Sequence, residues 1–251
     1  MSDYNNEQQP YQPYDDPPQP RIVLRVNRTQ PYVTYTIIAL DLLVYAAMLL
    51  CGRFFGWSQN AQLYYFGAKI NELILYQHEY WRLFTCMLLH AGLVHLACNC
   101  FSTYVYGRLV EQLYGRWRLA VIYLTAGLAG SFLSFAFSPN ASVGASGAIF
   151  GLISCMFYFR KKYKELFRRM FGIQFLAIIA LNLFLGFTPG SGIDNFGHIG
   201  GIVGGLLAAN AVGLLGEKVS GAKRALYIGL FILFCIACVL IRLKYAASLQ
   251  V

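Results

Sequence analysis

The chain has 251 residues, of which 57% are hydrophobic and only 12% are charged, and its formal net charge is +9. This composition indicates a polytopic membrane protein and excludes a soluble domain with a single large core. The basic residues are scattered over loops between apolar stretches. We therefore interpret the charge as a signal of membrane orientation and expect no nucleic-acid partner.

The first 30 residues are rich in Pro, Gln, Tyr and Asp and contain no apolar run, which predicts a disordered cytosolic tail. The rest of the chain predicts seven transmembrane helices. Their apolar spans lie near residues 33–52, 83–106, 119–137, 146–159, 172–187, 197–216 and 225–243. The second span is long, and we expect it to include an interfacial segment before Gly92.

The distribution of Lys and Arg predicts how these spans are oriented. With a cytoplasmic N-terminus, 15 of the 20 basic residues fall on the inner side of the membrane and five on the outer side. The N-terminal tail resembles neither a cleaved signal peptide nor a mitochondrial transit peptide. We therefore expect a multi-pass protein of the cell membrane whose N-terminus is cytoplasmic.

The fourth span is too short to cross a bilayer. Its 14 residues, Ser146 to Phe159, make a helix of about 21 Å, against a hydrocarbon thickness of about 30 Å. The basic residues that follow Phe159 hold its inner end in water. Ser146 is therefore expected at a helix N-terminus below the outer surface, on a turn that begins with Gly144. A polar group is costly there, which points to a nucleophile.

Three more polar side chains are expected at the depth of Ser146, namely His95 and Asn99 in the second span and His198 in the sixth. His95 and Asn99 are four residues apart and share one helix face. His90 is five residues before His95, which rotates it about 140° away from that face, and we therefore expect it to have a structural role. A histidine within the bilayer is more often functional than idle.

Glycines in the fourth and sixth spans repeat every four residues, which lets two helix backbones approach closely. A close crossing is what a hydrogen bond between Ser146 and His198 requires. Phe150 lies one turn below Ser146, and its ring is predicted to pack on the imidazole. Asp194 lies four residues before His198, and an alternative is that it orients the imidazole as the third member of a triad.

Five motifs resemble the rhomboid family of intramembrane serine proteases, and their order along the chain is that of the family. They are Trp81-Arg82, His90-x4-His95-x3-Asn99, Gly107-x3-Glu111-x3-Gly115, Gly144-Ala145-Ser146-Gly147 and Gly197-His198-x-Gly200-Gly201. The resemblance implies an all-α membrane protein, with a six-helix transmembrane core at 31–216. Residues 217–251 are then a cytosolic loop and an added seventh transmembrane helix.

The resemblance also implies roles for single residues. Ser146 becomes the nucleophile and His198 the general base and acid of a dyad, with Gly144 and Phe150 in support. His95 and Asn99 become oxyanion donors, on the outer side of the membrane. Glu111 is expected to pack in a loop near Arg108. No metal or other cofactor is implied, the partners are transmembrane protein substrates and the bilayer, and the oligomeric state stays open.

Two other functions remain as alternatives. The chain could be a non-catalytic chaperone or adaptor that binds client transmembrane helices, although the presence of both Ser146 and His198 argues against it. A metalloprotease or metal transporter would use His90, His95 and His198. Acidic ligands are scarce, however, and the sequence has no H-E-x-x-H motif.

Overall fold

The computed structural model describes residues 24–172 and 192–248, together with residues 177, 179–181, 184, 186 and 188. Within these residues the fold is helical, and the only β-type pairing is an isolated bridge between Lys69 and Ser142. The helices are α1 (Tyr32–Phe55), α2 (Gln59–Phe66), α3 (Asn71–Tyr76), α4 (Arg82–Thr85), α5 (Leu93–Ser102), α6 (Arg108–Tyr114), α7 (Arg116–Phe137), α8 (Ser146–Lys162), α9 (Lys164–Met170), α10 (Asn195–Val212) and α11 (Gly221–Ser248).

Most of the predicted spans correspond to these helices. Spans one, three, four, six and seven match α1, α7, α8, α10 and α11. By length and hydropathy, α1, α7 and α11 could each cross a membrane, and the bent pair 82–88 and 93–114 would be a fourth crossing. The fifth span falls largely outside the described residues, as does most of the predicted disordered tail.

The second predicted span is broken where Gly92 stands. Residues Arg82–Leu88 and Leu93–Tyr114 are bent by 90° with respect to each other, and Gly92 has a φ of 133° that other residues rarely adopt. The segment predicted before Gly92 is thus separate from the helix that follows, and its location at the membrane interface stays a prediction. The longer part runs through α5, a π-helical turn at Thr103–Gly107, and α6.

The N-terminus of α1 is capped by a side chain from another helix. The buried Glu111 carboxylate of α6 accepts hydrogen bonds from the backbone N–H of Val33 (3.2 Å) and from both the N–H (2.9 Å) and the hydroxyl (2.7 Å) of Thr34. The expectation that Glu111 packs in a loop near Arg108 was therefore wrong. The free N–H groups of a helix start attract a carboxylate, and this contact lies 77 residues away in sequence.

The centre of the molecule is formed by three helices. α10 packs against both α7 and α8, and α11 lies on the outside of α7 and α10. The buried apolar cluster that these helices share includes Ala148, Leu152 and Ala209. This arrangement brings the N-terminal ends of α8 and α10 side by side.

Candidate active site

Ser146 is the first residue of α8 and lies on a cavity. The turn before it depends on Gly144, whose φ of 122° is strained for any residue with a side chain. The Gly144 N–H donates to the carbonyl of Cys86 at 2.9 Å, which holds the turn against the segment before α5. Ser146 is therefore presented at a helix N-terminus, as the short fourth span predicted.

His198 lies in the first turn of α10, directly beside Ser146. Its Nε2 atom is 2.9 Å from the Ser146 hydroxyl oxygen, and the side chain is buried. The Phe150 ring stacks on the imidazole, with ring centroids 4.2 Å apart and an interplanar angle of 21°. The aromatic ring thus fixes the plane of the imidazole, and the hydrogen bond fixes its rotation.

Asp194 does not orient His198. Its carboxylate accepts from the backbone N–H of Gly197 at 3.1 Å and from the Ser134 hydroxyl. Among the described residues, nothing bonds to the His198 Nδ1 atom. Asp194 is the N-cap of α10, and the free N–H groups of that helix compete successfully for the carboxylate. The triad alternative is therefore not what the structure shows.

Close contact between helices keeps the two side chains together. A Cβ atom placed on Gly201 would lie 2.0 Å from the Gly147 carbonyl oxygen, and one on Gly205 would lie 2.4 Å from that of Gly151. Neither position tolerates even a methyl group unless α8 and α10 separate. The predicted glycine contact between the fourth and sixth spans is present, and it sets the distance between Ser146 and His198.

His95 and Asn99 face the turn that precedes Ser146. A Cβ atom on Gly144 would lie 2.8 Å from His95 Nε2 and 3.5 Å from Asn99 Nδ2. His95 Nδ1 accepts from the Ala91 N–H at 3.3 Å, so a neutral His95 carries its proton on Nε2. The buried Asn99 amide nitrogen has no bonding partner among the described residues. Two side-chain donors are thus directed toward the space beside Gly144.

His90 lies before Gly92, outside the helix that carries His95 and Asn99. It lies in the break before α5, so the rotation predicted for a continuous helix does not apply. Its ring is fully buried and meets the His95 ring edge-on, with centroids 5.2 Å apart.

A cavity of about 1210 Å³ connects these groups. Its lining includes His95, Asn99, Ser146, Phe150 and His198. Such a volume holds both water and an extended peptide segment. No cluster of three or more His, Cys, Asp or Glu side chains that could hold a metal ion occurs among the described residues.

Comparison with known proteins gives the family. The family model described as "Rhomboid domain" matches residues 77–214, which is more than half of the chain and includes His95, Asn99, Ser146 and His198. The chain belongs to the rhomboid family. This rhomboid is 45% identical to Rhomboid protease GluP of Bacillus subtilis (strain 168) over 185 residues, which cover 74% of the chain and 36% of GluP.

Two plant proteins give similar matches. The rhomboid chain is 39% identical to RHOMBOID-like protein 1 of Arabidopsis thaliana over 144 residues, and 40% identical to RHOMBOID-like protein 6, mitochondrial, of the same organism over 148 residues. These alignments cover 56% and 55% of the chain, and 36% and 46% of the two relatives. The chain thus matches less than half the length of each of the three relatives.

In this rhomboid, a second close contact between helices, which was not predicted from the sequence, joins α10 to α7. α10 also packs against α7, since a Cβ atom on Gly200 would lie 2.5 Å from the Ala129 carbonyl oxygen and one on Gly204 would lie 2.5 Å from the Ala129 methyl group. The small residues Ala126 and Gly130 of α7 are four residues apart, and this spacing could have predicted the contact. α10 is therefore held on two sides, and this fixes the position of His198.

Proposed function

We propose that this chain is an intramembrane serine endopeptidase that cleaves transmembrane segments of other proteins through a Ser146–His198 dyad and an acyl-enzyme. The observation that carries the proposal is the 2.9 Å contact between Ser146 Oγ and His198 Nε2 at two adjoining helix N-termini. Membership of the rhomboid family and the similarity to Rhomboid protease GluP support the same activity.

The first half of the reaction forms the acyl-enzyme. His198 Nε2 takes the hydroxyl proton of Ser146 as Oγ attacks the carbonyl carbon of the scissile peptide bond. The carbonyl oxygen becomes an oxyanion, which the Ser146 N–H, His95 Nε2–H and Asn99 Nδ2–H stabilise. The C–N bond then breaks, and His198 gives its proton to the leaving amine.

The second half consumes one water molecule. His198 removes a proton from the water while its oxygen attacks the ester carbon. Collapse of the second oxyanion releases the new carboxyl group and returns the proton to Ser146. The polar groups that line the cavity can hold this water near the ester. A neutral His198 is required at the start, and a low-dielectric site favours that form.

The substrate must reach Ser146 with an exposed backbone. A helical segment hides its carbonyl groups in internal hydrogen bonds, so it has to unwind before it can enter the site. Substrates with helix-weakening residues near the cleavage point are therefore favoured, and the resemblance to rhomboid proteases implies a small side chain before the cleavage point. The external loop, residues 53–82 between the first two predicted spans, is the proposed entry side.

The proposed membrane arrangement follows the distribution of basic residues. The N-terminus is cytoplasmic, the protein is multi-pass in the cell membrane, and the active site lies toward the outer face. Residues 31–216 form the six-helix protease core, residues 1–30 form a cytosolic tail, and residues 217–251 form a loop and the seventh helix.

A reconstituted cleavage assay tests this function. The purified chain is placed in liposomes with a membrane protein whose single transmembrane segment contains Gly and Pro near the outer side, and released fragments are identified by mass spectrometry. We expect one cleavage within the segment, none with Ser146→Ala, and full activity in the presence of a chelator. Cleavage that persists in Ser146→Ala would contradict the proposal, and loss on chelation with return on adding zinc would favour a metal enzyme.

A further inference from the structure

Lys69 lies in the external loop between α2 and α3 and is completely buried. Buried lysines usually pair with a carboxylate, because an isolated ammonium group is costly to desolvate. Among the described residues, no carboxylate lies within ion-pair distance of Lys69. Its Nζ atom instead donates to three backbone carbonyls: Asn140 at 2.7 Å, Ser138 at 3.2 Å and Ser134 at 3.5 Å.

These carbonyls belong to the end of α7 and to the loop that leads to Ser146. The last carbonyls of a helix carry partial negative charge and have no partner within the helix. Asn71, two residues after Lys69, donates its side-chain N–H to the same Ser138 carbonyl at 2.8 Å. The end of α7 is thus held by two side chains from the external loop.

The backbone of Lys69 makes a second connection to the same loop. Its N–H donates to the Ser142 carbonyl at 3.0 Å, and the Ser142 N–H donates to the Lys69 carbonyl at 3.1 Å. Ser142 is four residues before Ser146 and two before Gly144. The external loop therefore holds both ends of the connection between α7 and α8.

Lys69 is also connected to His198, by way of Asp194. Lys69 attracts Asp194 electrostatically, and Asp194 accepts from the Gly197 N–H and the Ser134 hydroxyl. Ser134 is itself a Lys69 contact. The helix starts that carry Ser146 and His198 are therefore both held relative to one ammonium group.

We propose that Lys69 is a positioning residue for the active site. Its contacts hold the end of α7, the turn before Ser146 and the start of α10 in the arrangement that catalysis needs. This inference rests on the function proposed above. Lys69 itself lines no part of the cavity that contains Ser146 and His198, and so it is not expected to touch the substrate.

Burial of the ammonium group lowers the pKa of Lys69 from 10.5 to about 8. Asp194, Cys86 and Glu72 act in the opposite direction, while Arg242 of α11 lowers the pKa further. A neutral amine has only two N–H groups for three carbonyls and no charge to attract Asp194. Above pH 8 the positioning contacts therefore weaken.

Stability and activity should respond to this titration in opposite directions. Between pH 8 and pH 10.5 the unfolded chain keeps the lysine proton that the folded chain has lost, so the contribution of Lys69 to folding stability rises with pH. A loss of activity in this range that belongs to Lys69 is therefore not caused by unfolding.

The test compares Lys69→Met, Lys69→Arg and the exposed control Lys244→Met by their rates of reaction with a fluorophosphonate probe. Lys69→Met removes the N–H donors while keeping a side chain of similar length, and Lys69→Arg keeps the positive charge of the side chain far above pH 10. We expect Lys69→Met to react roughly ten- to a hundredfold more slowly at pH 7, since a misplacement of about 1 Å has effects of that size. Lys69→Arg should recover most of the rate and lose the decline above pH 8, and Lys244→Met should match the parent.

Hydrogen exchange of backbone amides provides a second measurement that does not depend on activity. We expect faster exchange at 138–146 and 194–198 in Lys69→Met, and in the parent when the pH is raised past 8, after correction for intrinsic exchange. A parental reaction rate and parental exchange in folded Lys69→Met would overturn the inference. If Lys69→Met does not fold, a parent rate that stays flat from pH 7 to 10 would overturn it. A parent that never reacts with the probe defeats the proposed function instead, and exchange then still decides the role of Lys69.

Discussion

Replacing Gly201 with alanine tests whether close helix packing sets the geometry of the dyad. The added methyl carbon would lie 2.0 Å from the Gly147 carbonyl oxygen, whereas ordinary contact begins at 3.4 Å. The obstacle is backbone, so the relief must come from a separation of α8 and α10 by about 1.4 Å. Half of that shift is about 0.7 Å. If it is directed along the line from Ser146 Oγ to His198 Nε2, it lengthens their 2.9 Å contact to about 3.6 Å, which is no longer a hydrogen bond.

We therefore expect Gly201→Ala to reduce the rate of fluorophosphonate labelling by about 10²-fold, because a misplacement near 1 Å has an effect of this order. Labelling is measured at a temperature at which circular dichroism shows a fully folded protein. Gly229→Ala in α11 is the matched control, since nothing lies within 4 Å of a Cβ atom at that position, and it should label at the parental rate. Folded Gly201→Ala that labels as fast as the parent would show that close packing of α8 and α10 does not set the geometry of the dyad.

Three other substitutions have distinct expected outcomes. Asn99→Ala removes one oxyanion donor and should slow substrate cleavage by about 10²–10³-fold while leaving measurable turnover. His198→Ala should abolish substrate cleavage. Complete loss of cleavage in both variants would show that Asn99 is not merely one of several oxyanion donors. Phe150→Leu removes the ring stacked on His198, so we expect slower labelling with a near-parental melting temperature, and an unchanged rate would argue against this role for the ring. Glu111→Gln weakens the cap of α1 and should lower the free energy of unfolding by about 1–3 kcal/mol, with labelling per folded molecule unchanged. A parental unfolding midpoint in denaturant would contradict that account.

The position of Ser146 at a helix start was predictable because it depends on local sequence. The 14-residue length of the fourth span and the basic residues after it place Ser146 at a helix start, and α8 does begin at Ser146. Glycine spacing in the fourth and sixth spans likewise predicted the contact between α8 and α10. Both arguments need only the periodicity of one or two helices.

Contacts that depend on the path of a loop were not predictable. The helical rotation assigned to His90 was wrong because the helix is interrupted before α5. The role given to Glu111 was wrong because α6 packs beside the start of α1, where Glu111 caps the helix. The sequence has no local pattern that directs Lys69 toward Asn140, 71 residues later. Such contacts arise when several elements pack together, and spacing within a single helix carries no information about them.

Ser146 and His198 are proposed to act as one catalytic unit, and the site of covalent labelling distinguishes this from independent roles. The chain is treated with a fluorophosphonate, digested and analysed by mass spectrometry. We predict a single adduct on Ser146, which disappears in Ser146→Ala and falls to background in folded His198→Ala. An adduct on another residue, or labelling of Ser146 at the parental rate without His198, would show that the two side chains do not form a catalytic dyad.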